Sequence, residues 1–220
     1  MQLPYSAEVY FVTLAEYNVT WRPVVVTGVA IMVAAIVLAM RRPSPGASSG
    51  ASRKITVILA VGAFWTGAVY QLGMMADLNF MATAYGAGWI AQGVLILWSG
   101  LVRDRPAPAG TVHGYGYGAA GIAIAVFGLA GYPAIIALTG QTWPALPMAG
   151  TAAHPTAVVI AGLLLATRPR PPLVLFIWPA AWAAVAAFSG NLLGQPQDFS
   201  VSIAIIAATA LAITARFRAA

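Results

Sequence analysis

"HPTAVVIAGLLLATRPRP", residues 154–171, is an apolar run closed by prolines and arginines, as a membrane helix would be. From Pro155 to Thr167 it has only 13 residues. At about 1.5 Å rise per residue, such a run covers roughly 20 Å of a hydrocarbon core about 30 Å thick. Two readings follow. In one, Arg168 holds the inner end at the surface, and the outer end at His154 and Pro155 stops below the opposite surface. In the other, Gly150–Ala153 extend the helix to about 17 residues and His154 is one more residue within it.

The rest of the chain makes lipid the solvent. Of 220 residues, 60% are hydrophobic and 7% charged, against about a quarter charged in soluble domains. The fold class expected is therefore an all-α polytopic membrane bundle. Seven transmembrane helices are predicted: roughly Pro23–Met40, Ile55–Met75, Phe80–Val102, Tyr117–Leu138, Pro155–Thr167, Leu173–Gly190 and Phe199–Ala215. An extracytoplasmic interfacial amphipathic helix is expected over residues 1–22. The seven-helix domain then covers 23–220, with a flexible Ser/Gly/Pro-rich cytoplasmic loop at 43–52. No signal peptide or lipidation signal is visible. No cysteine is present, which excludes disulfides and thiolate chemistry.

The net charge of +6 would suggest nucleic acid in a soluble protein; here the positive-inside rule accounts for it, and no nucleic-acid partner is expected. With seven spans, Arg41, Arg42, Arg53, Lys54, Arg103, Arg105, Arg168, Arg170, Arg216 and Arg218 all fall on one side. That side is then cytoplasmic, with the N-terminus outside and the C-terminus inside. The expected location is the bacterial inner membrane. Glu8, Glu16, Asp77 and Asp198 fall outside, with Asn18, Asn79, Gln141 and His154. A site, if present, opens outward.

The residues expected to line such an outer pocket are His154, Asp198, Glu16, Asn18, Arg22, Asp77, Gln71, Gln141 and Trp143. Ser6 suits an N-cap with Glu8 in the first turn. Tyr10, Leu14, Tyr17 and Trp21 follow helical spacing. They read as a headgroup-level stripe, or as part of a lid with Glu16 and Asn18 facing in. Arg22 is the outward cation available to Asp198, Glu16 or Asp77. Asp198 reads as a surface cap of the last span or as an ionisable group at membrane depth. The loop from Trp143 to Ala153 is a possible cover above the short helix. Gly114, Gly118, Gly121, Ala125 and Gly128 share one face of span four, the small-residue pattern of close helix packing within the bundle or against another subunit. Tyr132-Pro133 loosens the outer end of that span, and Pro179 predicts a kink in the sixth.

His113 is expected on the opposite side from His154, so bis-histidine haem and a histidine-rich metal site are disfavoured. No catalytic or metal residue is assigned, and no cofactor is predicted. Seven spans also resemble a rhodopsin, but the only lysine is Lys54 in span two. Retinal would need a lysine in the last span.

"LPYSAEVYFVTLAEYNVTW", the Val69–Ala82 region, "GYP", "TWPALPMAGTAAHPT" and "IWPAAW…GQPQD" occur in order over most of the chain. They resemble an uncharacterised family of bacterial multi-pass inner-membrane proteins, a domain of unknown function. The resemblance implies a helical membrane fold and no activity. It also implies histidine at positions 71 and 141 and cysteine at position 154, where this chain has Gln71, Gln141 and His154. A metal or redox site is thereby put in question. Three functions remain: small-solute or ion binding or transport; an accessory or scaffold subunit, or a homo-oligomer, joined through the Gly/Ala faces; and an intramembrane enzyme. Gln92, Thr66, Thr209 and Thr214 are the polar groups available to line an inner pathway.

Overall fold

The computed structural model describes residues 5–41, 48–103, 116–167 and 172–217. Among these, all regular structure is helical. Helix α1 (Ala7–Thr20) is capped as expected: the Ser6 side chain accepts from the Val9 amide at 3.3 Å, with Glu8 in the first turn. Helix α2 spans Arg22–Met40. Helix α3 (Ser48–Trp65) runs on into a π-helical stretch, Thr66–Met75. Helix α4 (Ala82–Leu97) likewise continues as the π-helical Trp98–Arg103. Helix α5 (Gly116–Val126) passes through a π-helical turn, Phe127–Gly131, into α6 (Tyr132–Leu138). Helix α7 is Ala153–Ala166; a 3-10 turn, Leu173–Phe176, precedes α8 (Ile177–Leu192); and α9 is Asp198–Phe217.

Five segments are long and apolar enough to cross a membrane: Arg22–Met40, Gly50–Met75, Tyr117–Leu138, Leu173–Leu192 and Asp198–Phe217. Their outward surfaces carry exposed apolar side chains, among them Val26, Val33 and Val37 on α2 and Ile203, Ile206 and Ile213 on α9. Such a surface suits contact with lipid. The other two expected spans do not qualify on length and apolarity. Helix α4 carries Tyr85, Trp89 and Gln92 within its run, and α7 has only 14 residues.

The position of α7 explains its length. Every residue from Pro155 to Ala166 is buried. A helix apolar all round belongs inside a bundle, and α5, α8 and α9 pack around this one. A helix walled by protein has no need to match the bilayer thickness. Its N-terminus is also settled: Ala152 is extended and Gly150 has φ +90°, so these residues do not prolong the helix. The helix therefore begins at Ala153, with His154 and Pro155 in its first turn, and the longer helix from Gly150 does not form; Arg168 lies outside the described residues.

The segment before α7 folds inward as a cover. Residues 149–153 are buried. The Gly150 amide donates to Thr156 Oγ1 at 2.9 Å, and that hydroxyl donates back to the Ala152 carbonyl at 2.5 Å. Gly150 lies against Gly28 of α2; a Cβ built on it would stand 3.0 Å from the Gly28 carbonyl oxygen. Only glycine combines that approach with positive φ. Helix α1 holds the same segment from the other side. Asn18 Nδ2 donates to the carbonyls of Pro144 and Leu146 at 2.6 and 2.8 Å, and the Tyr17 hydroxyl donates to that of Thr151 at 3.2 Å.

Several local expectations change. Leu14 and Tyr17 of the aromatic stripe are buried against the bundle, and Trp21 meets Trp65 edge to face. In the sixth span the irregularity lies just ahead of Pro179, where a 3-10 turn meets α8. Pro179 itself sits in the first turn of α8, where its missing N–H has no helical acceptor to lose. Helix α3 starts at Ser48, inside the range expected as flexible loop, because the helix favoured by the apolar residues after Lys54 continues back through them; residues 42–47 are outside the described part.

Gly121 and Gly128 pack within the chain. A Cβ on Gly121 would meet the Gly162 carbonyl oxygen at 2.6 Å, and one on Gly128 would meet Val158 Cβ at 2.8 Å. Helices α5 and α7 therefore cross with their backbones nearly touching. Gly118 is buried on the same helix, and Gly114 lies outside the described residues.

Candidate functional site

The start of α7 stands beside the start of α9. Asp198, the first residue of α9, is buried with 7% of its surface exposed. The surface-cap reading of this residue therefore gives way to a carboxylate inside the bundle. Its Oδ1 accepts from the Tyr132 hydroxyl at 2.7 Å, and its Oδ2 lies 3.7 Å from His154 Nε2. A charge-assisted N–H···O bond is about 2.7–2.9 Å long, so the histidine contact is an open one. His154 Nε2 is buried and has no hydrogen-bond partner. The imidazole stacks on the Tyr132 ring, with centroids 5.9 Å apart and planes 14° from parallel. Trp182 of α8 meets it edge-on at 5.8 Å.

These side chains line a cavity of about 120 Å³. The π-helical stretch Thr66–Met75 contributes Tyr70 and Gln71, consecutive residues that are both 2% exposed. The wider π turn alters the angular spacing of successive side chains, and such turns recur at functional sites. Helix α1 contributes Tyr10 and Phe11, with Tyr5 just before it. The hydroxyls of Tyr10 and Tyr70 hydrogen-bond at 3.1 Å. Burial pushes the Tyr5 phenol up to about 12, so it faces the cavity uncharged. Tyr85 of α4, Phe188 and Ser189 of α8 and the amide side chains of Asn79 and Gln195 also line the cavity, and no lysine or arginine takes part. The π turn before Tyr132 sits upstream of Pro133, whose ring cannot donate to the preceding turn. It sets the position from which Tyr132 reaches Asp198.

Of the expected pocket residues, the fold brings together His154, Asp198 and Gln71. Gln141 lines an adjoining groove with Glu8 and Gln197, which shares Phe11 and Gln195 with the cavity. Asn18 is buried, and its amide is engaged by the loop above α7. Glu16, Arg22, Asp77 and Trp143 are exposed. Arg22 makes none of the expected ion pairs with Asp198, Glu16 or Asp77; His154–Asp198 is the pair found among the described residues. Helix α1 does cover the cavity, but through Tyr10 and Phe11 rather than Glu16 and Asn18.

Tyr132, Tyr70, Tyr85 and Trp182 are cavity residues that the search for charged and amide side chains passed over. A signal existed: Tyr132 precedes a helix-loosening proline. Tyr70, Tyr85 and Trp182 sit in apolar runs whose pairing in space no spacing rule reveals.

Residues 7–220 match a family of unknown function, DUF6064. The chain belongs to this family. No curated protein and no solved structure matches it.

Proposed function

We propose that this protein is a seven-span membrane protein that binds a small solute in a cavity at its extracytoplasmic end. The N-terminus would lie outside and the C-terminus in the cytoplasm, in a bacterial inner membrane. One observation carries the reading: a buried cavity holds Asp198 and His154 in an unclosed pair. Buried charged groups are normally fully partnered, and a site with capacity left over is suited to a ligand.

The topology has support of two kinds. Helix α4 continues without a break to Arg103, and α7 lies among the spanning helices. Arg41, Arg53, Lys54, Arg103 and Arg216 lie at helix ends away from the cavity, whereas the cavity takes residues from the start of α4, α7 and α9 and from the end of α8. That is the charge distribution of an inward basic face.

Binding is favoured over translocation because most of the inner polar groups are engaged locally, Thr66 Oγ1 and Gln92 Oε1 being the buried atoms there without a partner. Gln92 Nε2 donates to the Leu175 carbonyl at 2.9 Å, and Thr209 and Thr214 donate to carbonyls of their own helix. The accessory-subunit reading drew on the glycine face of the fourth span, which at Gly121 and Gly128 is occupied by α7.

The test is purification in mild detergent, followed by thermal unfolding against a panel of small solutes. A solute that raises Tm in the wild type and not in Ser189→Phe, whose ring would fill the cavity, supports the reading. Stoichiometric co-purifying subunits with no solute response would replace it with the accessory role.

A further inference from the structure

We infer that the solute bound in this cavity is a small organic ammonium ion carrying an aromatic or short hydrocarbon body. The inference rests on the binding reading above and names its ligand class. The cavity offers one carboxylate and no lysine or arginine, so a cation finds a countercharge there and an anion finds none. Asp198 Oδ1 is engaged by Tyr132, while Oδ2 has acceptor capacity left and faces a histidine nitrogen too distant to bond it. An ammonium group placed there would supply the missing donor and the missing charge. A neutral solute can supply a donor but leaves the charge uncompensated.

The walls fit the rest of the molecule. Tyr5, Tyr10, Tyr70, Tyr85, Tyr132 and Trp182 line the same cavity as the carboxylate, and aromatic rings attract cations as well as apolar groups. A bare metal ion fits poorly. Calcium takes about six to eight oxygen ligands, and the wall has one carboxylate, its other side-chain oxygens being the neutral amides of Gln71, Asn79 and Gln195 and hydroxyls set among aromatic rings. The cavity, about 120 Å³, is smaller than those of about 150 Å³ that accept benzene, so a ring with its ammonium group extends toward the open side marked by the exposed Phe80 and Met81. The carboxylate can come this deep because Gly190 of α8 faces it; a Cβ there would stand 2.8 Å from Asp198 Cβ.

The experiment compares three ligands of one shape: benzylammonium, benzyl alcohol and benzoate. Each is titrated at neutral pH into the purified full-length protein, with tryptophan fluorescence and Tm as readouts. Benzylammonium is expected to bind at least about tenfold more tightly than benzyl alcohol, with benzoate weakest. In Asp198→Asn, which keeps an acceptor for Tyr132, the ratio of ammonium to alcohol should fall to about one while the alcohol still binds. Equal binding of ammonium and alcohol by the wild type, or a preference for benzoate, overturns the ammonium class but leaves the cavity as a binding site. That comparison requires no variant to fold. If none of the three produces a response distinguishable from that of Ser189→Phe, both the ammonium class and the binding reading fall.

Discussion

The Tyr132 hydroxyl donates to Asp198 Oδ1 at 2.7 Å, joining the start of α6 to the start of α9 across 66 positions of sequence. Hydrogen bonds to a charged group contribute about 1.5–3 kcal/mol when buried. Tyr132→Phe should therefore lower stability by roughly that amount. In a double-mutant cycle with Asp198→Asn the two losses should be strongly non-additive. Additive losses within error would show that the contact stabilises nothing.

The crossing of α5 and α7 predicts a contrast between two glycines. A Cβ on Gly162 would meet the Ala125 amide nitrogen at 2.5 Å and the Gly121 carbonyl oxygen at 2.6 Å, both backbone atoms. On Gly62 it would meet the end of the flexible Met32 side chain. Gly162→Ala should cost about 3 kcal/mol or more, the upper end for overpacking. Gly62→Ala should cost under about 1 kcal/mol, since methionine adjusts readily. Thermal unfolding of both in detergent decides it; equal losses would contradict this packing.

Asn18 ties α1 to the segment above α7 by two hydrogen bonds. Asn18→Ala should lose about 2 kcal/mol, near 1 for each bond. It should also expose the loop around Leu146 to limited proteolysis. Unchanged cleavage would mean that Tyr17 and the Gly28–Gly150 contact hold the loop unaided.

Pro179 lies in the first turn of α8. Pro179→Ala should change stability by less than about 1 kcal/mol, because the N–H it restores has no acceptor within the helix. A mid-helix proline would instead cost about 3 kcal/mol, so a large gain in Tm for the alanine variant would place the proline in the helix interior.

The absence of native cysteine makes the proposed topology directly measurable. Glu16→Cys and Asp77→Cys replace exposed residues near the cavity end, and Gly50→Cys an exposed residue at the other. In intact cells a membrane-impermeant maleimide should label the first two. The third should react only after permeabilisation. The reverse pattern would invert the orientation, and labelling of Glu16→Cys and Asp77→Cys from opposite sides would break the span count.

Composition and periodicity sufficed for what depends on solvent alone. An apolar chain with so few charges requires lipid, and its helices are legible because each must satisfy its own backbone there. The Ser6 cap and the loosening before Pro133 were legible too, being set by residues a few positions apart. His154, Asp198 and Gln71 stood out because a titratable or amide group is costly inside an apolar chain.

The short run at 154–171 shows where local reasoning stopped. Its length permitted two structures. Packing chose between them, because Gly121 and Ala125 of α5 and Gly128 in the π-helical turn after it let that segment approach the α7 backbone, which α8 and α9 also help enclose. The same holds for the site. The aromatic residues of the cavity come from α1, α4, α6, α8 and the stretch after α3. Chain order does not say which side chains meet when side chains pack in three dimensions. Sequence alone determined a helical protein in lipid with its polar groups gathered toward one end. Tertiary structure decided which of those groups became partners, because burial and hydrogen bonding act between neighbours in space rather than in sequence.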